Sequence, residues 1–381
     1  MRNFAPPRLA SPCTLYLSKM NWSFPYLLAF VGATVLGLCL TPVARALAPR
    51  LQLWDKPQSE HHKNHTKATP VAGGLAMWAA WITVLGGGLL VATLAPGMLP
   101  EALRPALKGI GDVKHTIAVI LLCATALMLM GLKDDRKAMG AGLKFLCQFV
   151  AAGLTAAFGP RIFVAHCPVV LAWAITTLWI ATVINAMNFF DNMDGLAGGT
   201  SFIALAFLFA IAALRGQYFV ALLTATTAGA ALGFLRHNWP HASIFMGDSG
   251  SHFLGYLLAV ACVLTTFYTP ADTPTALSML IPVLVLAIPL VDAATVVVIR
   301  LRLHKPIYVG DNRHISHRFV NLGLGRPLAV FLVWLLAFIT GAGALALLWL
   351  PPFGAWLVLA QFAAMMAIIL ILQFHAAKNQ S

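Results

Sequence analysis

An acid-poor chain places its aspartates in short polar segments beside glycine, asparagine, histidine and lysine. Only 12 of its 381 residues are Asp or Glu. The segments concerned read "GLKDDRKAMGAGLKFLCQ", "NAMNFFDNMDGLAGG", "FMGDSGS" and "VGDNRHISHRF". Their aspartates are Asp134, Asp135, Asp191, Asp194, Asp248 and Asp311. One such aspartate could be a solvated loop residue, but several converging carboxylates suit a hard cation such as Mg²⁺.

The loops that contain these acids also carry basic side chains. They are Lys63, His65, Lys67, Lys137, Lys144, Arg300, Arg302, Lys305, Arg313, His314, His317 and Arg318. A metal-loaded acidic centre rimmed by cations can spread the negative charge that develops on a reacting diphosphate. A surface that binds lipid headgroups needs only the basic residues. The carboxylates therefore favour a catalytic diphosphate site.

These segments must be positioned by membrane-spanning helices. The chain is 60% hydrophobic and 10% charged, and its mean hydropathy of +0.83 excludes an ordinary soluble domain. A window of about 20 residues finds about eleven candidate spans, which predicts an all-α polytopic membrane protein. Their approximate limits are 24–47, 71–95, 115–132, 143–158, 168–187, 195–214, 218–236, 251–268, 276–299, 327–349 and 353–372.

Lysine and arginine in the short loops predict the orientation, because these residues accumulate on the cytoplasmic side. The expected topology is N-out and C-in, with the active site built from cytoplasmic loops in the bacterial cytoplasmic (inner) membrane. Residues 1–22 form a polar leader, and both a start at Met20 and a genuine extension remain open. Residues 23–375 are expected to form one integral membrane domain.

Six motifs, in the same order, resemble the polyprenyl-phosphate N-acetylhexosamine-1-phosphate transferases, the glycosyltransferase family 4 superfamily of MraY and the WecA/TagO enzymes. The resemblance runs from about Asp55 to Arg326. The motifs are "HKNHTKATPVAGG", "GLKDDRKAMGAGLKFLCQ", "NAMNFFDNMDGLAGG", "FMGDSGSHFLG", "IPLVDAATVVVIR" and "DNRHISHRFVNLGLG". Each motif is weak alone, but six in order are a strong signal.

The chain departs from the family pattern at several positions. His62 stands in place of an arginine, Ala68 of a proline, Asn192 of a glycine, and Ser316 of a histidine. The missing imidazole at 316 could change the geometry for the sugar or the anion. The last motif also lacks the three consecutive histidines and the glutamate that are typical of MraY, which favours the WecA-like branch.

The resemblance implies a membrane transferase that joins undecaprenyl phosphate to a UDP-N-acetylhexosamine, with UDP-N-acetylglucosamine (UDP-GlcNAc) as the expected donor. UMP leaves and a lipid-linked sugar diphosphate forms for cell-envelope polysaccharide. The lipid phosphate attacks the β-phosphorus, so the sugar C1–O bond is not cut. Mg²⁺ is the implied cofactor, for which Mn²⁺ could substitute. The partners are these two substrates and membrane lipid, with no nucleic acid.

The resemblance also implies a role for each matching residue. Asp248 is the first candidate for the metal, with Asp135, Asp191 or Asp194 near it. Asp134 and Asp135 are the catalytic candidates, Asp134 as the group that acts on the lipid phosphate. The substrate-binding candidates are Lys63, His65, Lys144, Asn188, Asp191, Asp194, His314, His317 and Arg318. If their segment is helical, Asp191 and Asp194 share a face.

Two alternatives stay open. An MraY-type phospho-MurNAc-pentapeptide transferase is the nearest enzyme alternative. A transporter or flippase is the alternative from another class, although such proteins show internal repeats and polar residues near the bilayer midplane. The sequence does not settle the oligomeric state, and a homodimer is one of the assemblies that it permits.

Overall fold

The computed structural model describes residues 23–55, 68–98, 106–162, 168–269, 273–306 and 313–378. Apart from one two-stranded antiparallel pair, β1 (Trp54–Asp55) with β2 (Thr69–Pro70), its regular elements are helices. The α-helices are α1 (Ser23–Leu51), α2 (Gly73–Leu94), α3 (Ala106–Arg136), α4 (Ala141–Phe158), α5 (Val169–Phe190), α6 (Leu196–Leu214), α7 (Tyr218–Asn238), α8 (Gly247–Leu264), α9 (Ile281–Val285), α10 (Ala287–Arg302), α11 (Ile315–Asn321), α12 (Arg326–Ala346) and α13 (Pro352–Lys378).

Ten of the helices within the described residues are long and apolar enough to cross a membrane, and a bent pair brings the number to 11. This confirms the prediction of an all-α polytopic membrane protein. The predicted ninth span, 276–299, is the bent pair, and its two halves meet at 69°. Pro289 has no N–H to donate to the carbonyl of Val285, so the helix breaks at Leu286 between α9 and α10.

Small residues allow α1 and α7 to pack closely. A Cβ at Gly229 would overlap the carbonyl oxygen of Phe30, and one at Gly233 would overlap that of Thr34. Without a hydrophobic driving force between helices in lipid, such close backbone contact is a main source of their association. The Gly229–Gly233 spacing in α7 therefore provides the surface on which α1 rests.

Pro42 inside α1 leaves the carbonyl of Leu38 without its usual helical donor, because proline has no N–H. Nε2 of His237, at the end of α7, lies 3.1 Å from that carbonyl oxygen. A carbonyl can only accept, so the imidazole donates. His237 thus supplies a donor to the carbonyl that Pro42 leaves without one.

The polar segments meet at one end of the helix bundle, but the helices extend further into them than the hydropathy limits predicted. Asp134 and Asp135 lie in the last turn of α3, because the helix continues past the predicted limit of 132 to Arg136. Asp191 and Asp194 lie in a non-helical turn between α5 and α6. The condition under which these two aspartates would share a helical face is therefore not met.

Two groups of buried apolar residues stabilise this arrangement. The larger one joins α1 to α8 and extends to α9, α12 and the start of α13. The smaller one contains Phe190 and Leu196, which flank the Asp191–Asp194 turn, together with Ile288 in α10 and Ile315 in α11. The turn between α5 and α6 is therefore packed against the last third of the chain.

Candidate active site

Asp248 lies in the first turn of α8, and two glycines allow that turn to reach α3. Gly247 has a φ of +72°, which L side chains rarely adopt, and a Cβ there would lie 2.6 Å from Oδ2 of Asp135. A Cβ at Gly131 in α3 would overlap the backbone of Asp248. The start of α8 therefore rests directly on the last turns of α3.

Asp135 holds the start of α8 in place. Its Oδ1 accepts a hydrogen bond from the N–H of Asp248 at 2.7 Å, and its Oδ2 accepts one from the N–H of Ser249 at 3.1 Å. The first N–H groups of a helix have no partner within the helix, and a negative charge there is favourable. Asp135 is thus a helix cap supplied by a neighbouring helix, with each oxygen engaged.

The carboxylate of Asp248 is held from two sides. Nδ2 of Asn188, at the end of α5, donates to Oδ1 at 2.9 Å, and Nζ of Lys144, at the start of α4, donates to Oδ2 at 2.9 Å. Asn188 also donates to Oγ of Ser251 at 2.9 Å. Side chains from α4 and α5 therefore hold this carboxylate of α8 at the end of the bundle.

Lys144 bridges two acids. Its ammonium lies 2.5 Å from Oδ2 of Asp134 as well as 2.9 Å from Oδ2 of Asp248. The other oxygen of Asp134 accepts from the N–H of Met139 at 2.5 Å, which closes the turn between α3 and α4. The structure thus assembles Asp134, Asp135, Lys144, Asn188 and Asp248 into one unit, here called the acidic centre.

Residues 191–195 form the acidic loop, in which the two aspartates differ. Oδ2 of Asp194 accepts from the N–H of Ala242 at 3.0 Å, so this side chain joins the loop to the segment before α8. Asp191 makes no such bond within the described part of the chain. Burial, and then the nearby carboxylates of Asp248 and Asp194, raise the pKa of Asp191 to about 7. Of the two acids in this loop, Asp191 is therefore the better candidate to bind a ligand through its carboxylate.

Residues 313–321 form the histidine segment, which is anchored at the start of α11. Nδ1 of His314 lies 2.6 Å from Oδ2 of Asp292 in α10, and the N–H of Ile315 donates to Oδ1 of the same side chain at 2.7 Å. Asp292 therefore pairs with His314 and connects α10 to α11. His317 and Arg318 lie on α11, and Nε of Arg318 donates to the carbonyl of Arg313 at 2.9 Å.

Three of the predicted residues cannot be placed relative to the acidic centre. Lys63, His65 and Asp311 are outside the described residues. At the glycine-rich start of α2, the N–H groups of Gly73 and Gly74 donate to the carbonyls of Phe245 and Met246, so they are not open to an anion. Close helix packing explains these glycines.

Sequence comparisons with known proteins show the family to which the chain belongs. The family model described as glycosyl transferase family 4 matches residues 117–266, which include the whole acidic centre. A relative from Mycobacterium tuberculosis, decaprenyl-phosphate N-acetylglucosaminephosphotransferase, is 32% identical over 352 residues, covering 85% of this chain and 83% of the relative. The chain belongs to glycosyl transferase family 4.

Two further relatives have names that point to different donors. A probable undecaprenyl-phosphate N-acetylglucosaminyl 1-phosphate transferase from Bacillus subtilis is 29% identical over 337 residues, covering 85% of this chain and 87% of the relative. A phospho-N-acetylmuramoyl-pentapeptide-transferase from Thermosynechococcus vestitus is 32% identical over 257 residues, covering 62% of each chain. The relatives named for N-acetylglucosamine-phosphate transfer thus align over a larger share of this chain than this pentapeptide transferase does.

Two of the departures from the family motifs contact each other. Oγ of Ser316 donates to Oδ1 of Asn192 at 2.6 Å, and Nδ2 of Asn192 donates to the carbonyl of Phe189 at 3.1 Å. Ser316 is fully buried, so its hydroxyl faces the acidic loop and not solvent. The serine at the position of a family histidine therefore has a specific partner, which no local sequence pattern indicates.

The donor set fits a cation that is held by few protein groups. No cluster of three or more His, Cys, Asp or Glu side chains able to hold a metal occurs among the described residues. Mg²⁺ is commonly bound through one or two carboxylates, with water and substrate phosphates completing its shell. Asp248, held by side-chain donors, and Asp191, whose carboxylate accepts no hydrogen bond from the described residues, are the candidates for such an ion, whereas Asp135 and Asp194 are engaged with backbone N–H groups.

Proposed function

We propose that this protein transfers N-acetylglucosamine-1-phosphate from UDP-GlcNAc to undecaprenyl phosphate, forming a lipid-linked sugar diphosphate and releasing UMP. The observation that carries the proposal is the carboxylate of Asp248, fixed by Lys144 and Asn188 at the end of a membrane-embedded bundle. Relatives named for the same type of transfer align over 85% of the chain. We further propose that this end of the bundle faces the cytoplasm, where nucleotide sugars are found.

In the proposed reaction, an oxygen of the lipid phosphate attacks the β-phosphorus of the donor. A new phosphorus–oxygen bond forms, the bond between the β-phosphorus and the bridging oxygen breaks, and that oxygen leaves with UMP. A phosphate monoester has its second pKa near about 6 and is largely dianionic at neutral pH. The nucleophile therefore needs positioning more than it needs a strong base.

The residues of the acidic centre divide the work. Bound Mg²⁺, with Mn²⁺ as a substitute, would neutralise charge on the diphosphate. Asp248 and Asp191 would hold that ion, and Asp135 keeps Asp248 in position. Asp134 already accepts from Lys144, so we assign it to orienting the ammonium towards the reacting phosphates.

The histidine segment and the nearby basic residues would bind the donor. We propose that His314, His317 and Arg318 contact the diphosphate and that Asn188 and Asp194 lie on the nucleotide side. Lys63 and His65 are proposed to complete the site. His314 is suited to this role, since its Nδ1 is fixed by Asp292 and its other ring nitrogen makes no hydrogen bond to the described residues.

The test is an assay of purified protein with undecaprenyl phosphate, Mg²⁺ and one of three donors: UDP-GlcNAc, UDP-N-acetylgalactosamine or UDP-MurNAc-pentapeptide. We expect UMP release with UDP-GlcNAc that requires the lipid and stops on addition of EDTA. Release only with the pentapeptide donor would support the MraY-type alternative. If no donor yields UMP, while vesicles containing the protein move a lipid-linked sugar across the bilayer, the transferase proposal fails.

Orientation can be tested separately in a variant that lacks the six native cysteines. Lys305→Cys lies at the end of α10 on the site side, and Gly97→Cys lies after α2 at the opposite end. We expect an impermeant maleimide to label Gly97→Cys in intact cells, and Lys305→Cys only after permeabilisation. The reverse pattern would place the site on the outer face.

A further inference from the structure

The acidic loop and the histidine segment are distant in sequence but share a buried joint. Oγ of Ser316 donates to Oδ1 of Asn192 at 2.6 Å across 124 positions of the chain. Asn192 lies directly after Asp191, and its own N–H donates to the carbonyl of Phe190 at 2.9 Å. The side chain of Asn192 thus links the end of α5 to the start of α11.

Apolar packing seals this joint. Phe190 and Leu196 on the two sides of the acidic loop are buried in the same cluster as Ile315, which precedes Ser316. Ser316 is itself fully buried, so water cannot readily replace its hydroxyl. Because the Ser316 hydroxyl is buried and Asn192 is half-buried, loss of the Asn192 oxygen would leave a buried donor without this hydrogen bond, which is costly.

The joint is attached to the half of the acidic loop that contains Asp191, whereas the other half is held by different hydrogen bonds. Asp194 is tied to Ala242, and the N–H of Gly195 donates to Oδ1 of Asn238 at 2.8 Å. Among the described residues, Asp191 makes one hydrogen bond, from its backbone N–H to the carbonyl of Asn188 at 3.3 Å. The position of its carboxylate therefore depends on the residue that follows it, Asn192.

We propose that Ser316 and Asn192 are positioning residues: their hydrogen bond places the carboxylate of Asp191 and so sets the affinity of the acidic centre for a divalent cation. The histidine segment then controls the metal site without touching the metal. This inference rests on the proposed function only in the assignment of Asp191 and Asp248 as cation ligands.

The experiment measures Mn²⁺ binding to the purified full chain without substrates, from the loss of the electron paramagnetic resonance signal of free Mn²⁺. We expect Ser316→Ala and Asn192→Ala each to weaken binding about fivefold, the effect of one ordinary hydrogen bond. The double variant should be no weaker than the weaker single one, and Ser316→Thr should restore wild-type affinity. In an Asp191→Asn background, Ser316→Ala should have no further effect.

Ser278→Ala is the matched control. Ser278 is also fully buried, and its Oγ donates to the carbonyl of Leu347 at 2.9 Å, away from the acidic loop. This variant should lose a comparable amount of thermal stability and keep wild-type Mn²⁺ affinity. Unchanged binding in Ser316→Ala, additive losses in the double variant, or the same loss in the Asp191→Asn background would each overturn the inference.

The inference and the proposed function can fail independently. If the Mn²⁺ coupling appears but no donor yields UMP, the joint stands and the transfer reaction is wrong. If UMP is released but Mn²⁺ affinity does not respond to Ser316 or Asn192, the reaction stands and the joint is only structural.

Discussion

In the acidic centre, Asp248 is held by Asn188 and Lys144 at 2.9 Å each and by the cap that Asp135 gives to α8. The histidine segment is attached to that assembly through the contacts of His314 and Ile315 with Asp292 and of Ser316 with Asn192. The first region is assembled by packing of the spanning helices, whereas the second is a short helix docked on that assembly. Substitutions in the acidic centre should therefore abolish most of the activity. Substitutions in the histidine segment should reduce the activity by smaller factors.

Asp248→Asn tests the acidic centre most severely. The amide keeps the size of the carboxylate but removes the charge that holds a cation, so we expect kcat to fall about 10³-fold, on the scale of lost electrostatic groups in catalysis. The measurement is UMP release at saturating UDP-GlcNAc and Mg²⁺. Protein accumulation should stay normal, and a near wild-type rate would remove Asp248 from the metal site.

Asp191→Asn and Asp194→Asn form a matched pair within the acidic loop. We expect about a 10²-fold loss of kcat/KM for Asp191→Asn, since its carboxylate is available to a cation. Asp194→Asn should lose less than about tenfold, because asparagine can still accept from the N–H of Ala242. Equal losses in both variants, measured as Mg²⁺ titrations of UMP release, would show that the two acids act together.

Asp292→Asn tests the docking of the histidine segment. The asparagine oxygen can still accept from the N–H of Ile315, but the charge beside His314 is lost. Loss of a carboxylate that orients a metal-bound histidine costs about 10–100-fold in affinity or activity. For His314, we expect a loss of about 30-fold in kcat/KM, near the middle of that range. The loss should appear mainly in KM for UDP-GlcNAc; a loss confined to kcat would argue against a binding role for His314.

The pH dependence of cation binding should be the mildest effect. With the pKa of Asp191 raised to about 7, this carboxylate is ionised above that pH and neutral below it. Protons then compete with the cation, so Mn²⁺ affinity should fall up to about tenfold between pH 8 and pH 6. Asp191→Asn should flatten this profile, and a profile unchanged by that substitution would assign the titration to another group.

The sequence predicted the membrane fold because spanning helices leave a continuous apolar signal about 20 residues long. It did not predict the bend between α9 and α10, although Pro289 lies at that position, because a proline within a span can be accommodated without a break. It also placed Asp134 and Asp135 in a loop, since hydropathy follows the apolar core and not the polar last turn of α3.

The sequence indicated which residues belong to the candidate site, but not which residues they contact. Asp248, Lys144 and Asn188 are close together as expected for one convergent site. The cap from Asp135 to α8 joins residues 113 positions apart, and the bond from Ser316 to Asn192 joins residues 124 positions apart. Such pairings depend on tertiary packing and leave no local pattern in one sequence.

The most direct test of the proposed reaction uses UDP-GlcNAc labelled both at the β-phosphorus and in the sugar, with undecaprenyl phosphate and Mg²⁺. The account predicts that both labels enter the lipid product in equal amounts while UMP is released, and that Asp248→Asn abolishes both. Sugar label in the lipid without the β-phosphorus would mean that the C1–O bond is cut, which would contradict transfer of a sugar phosphate.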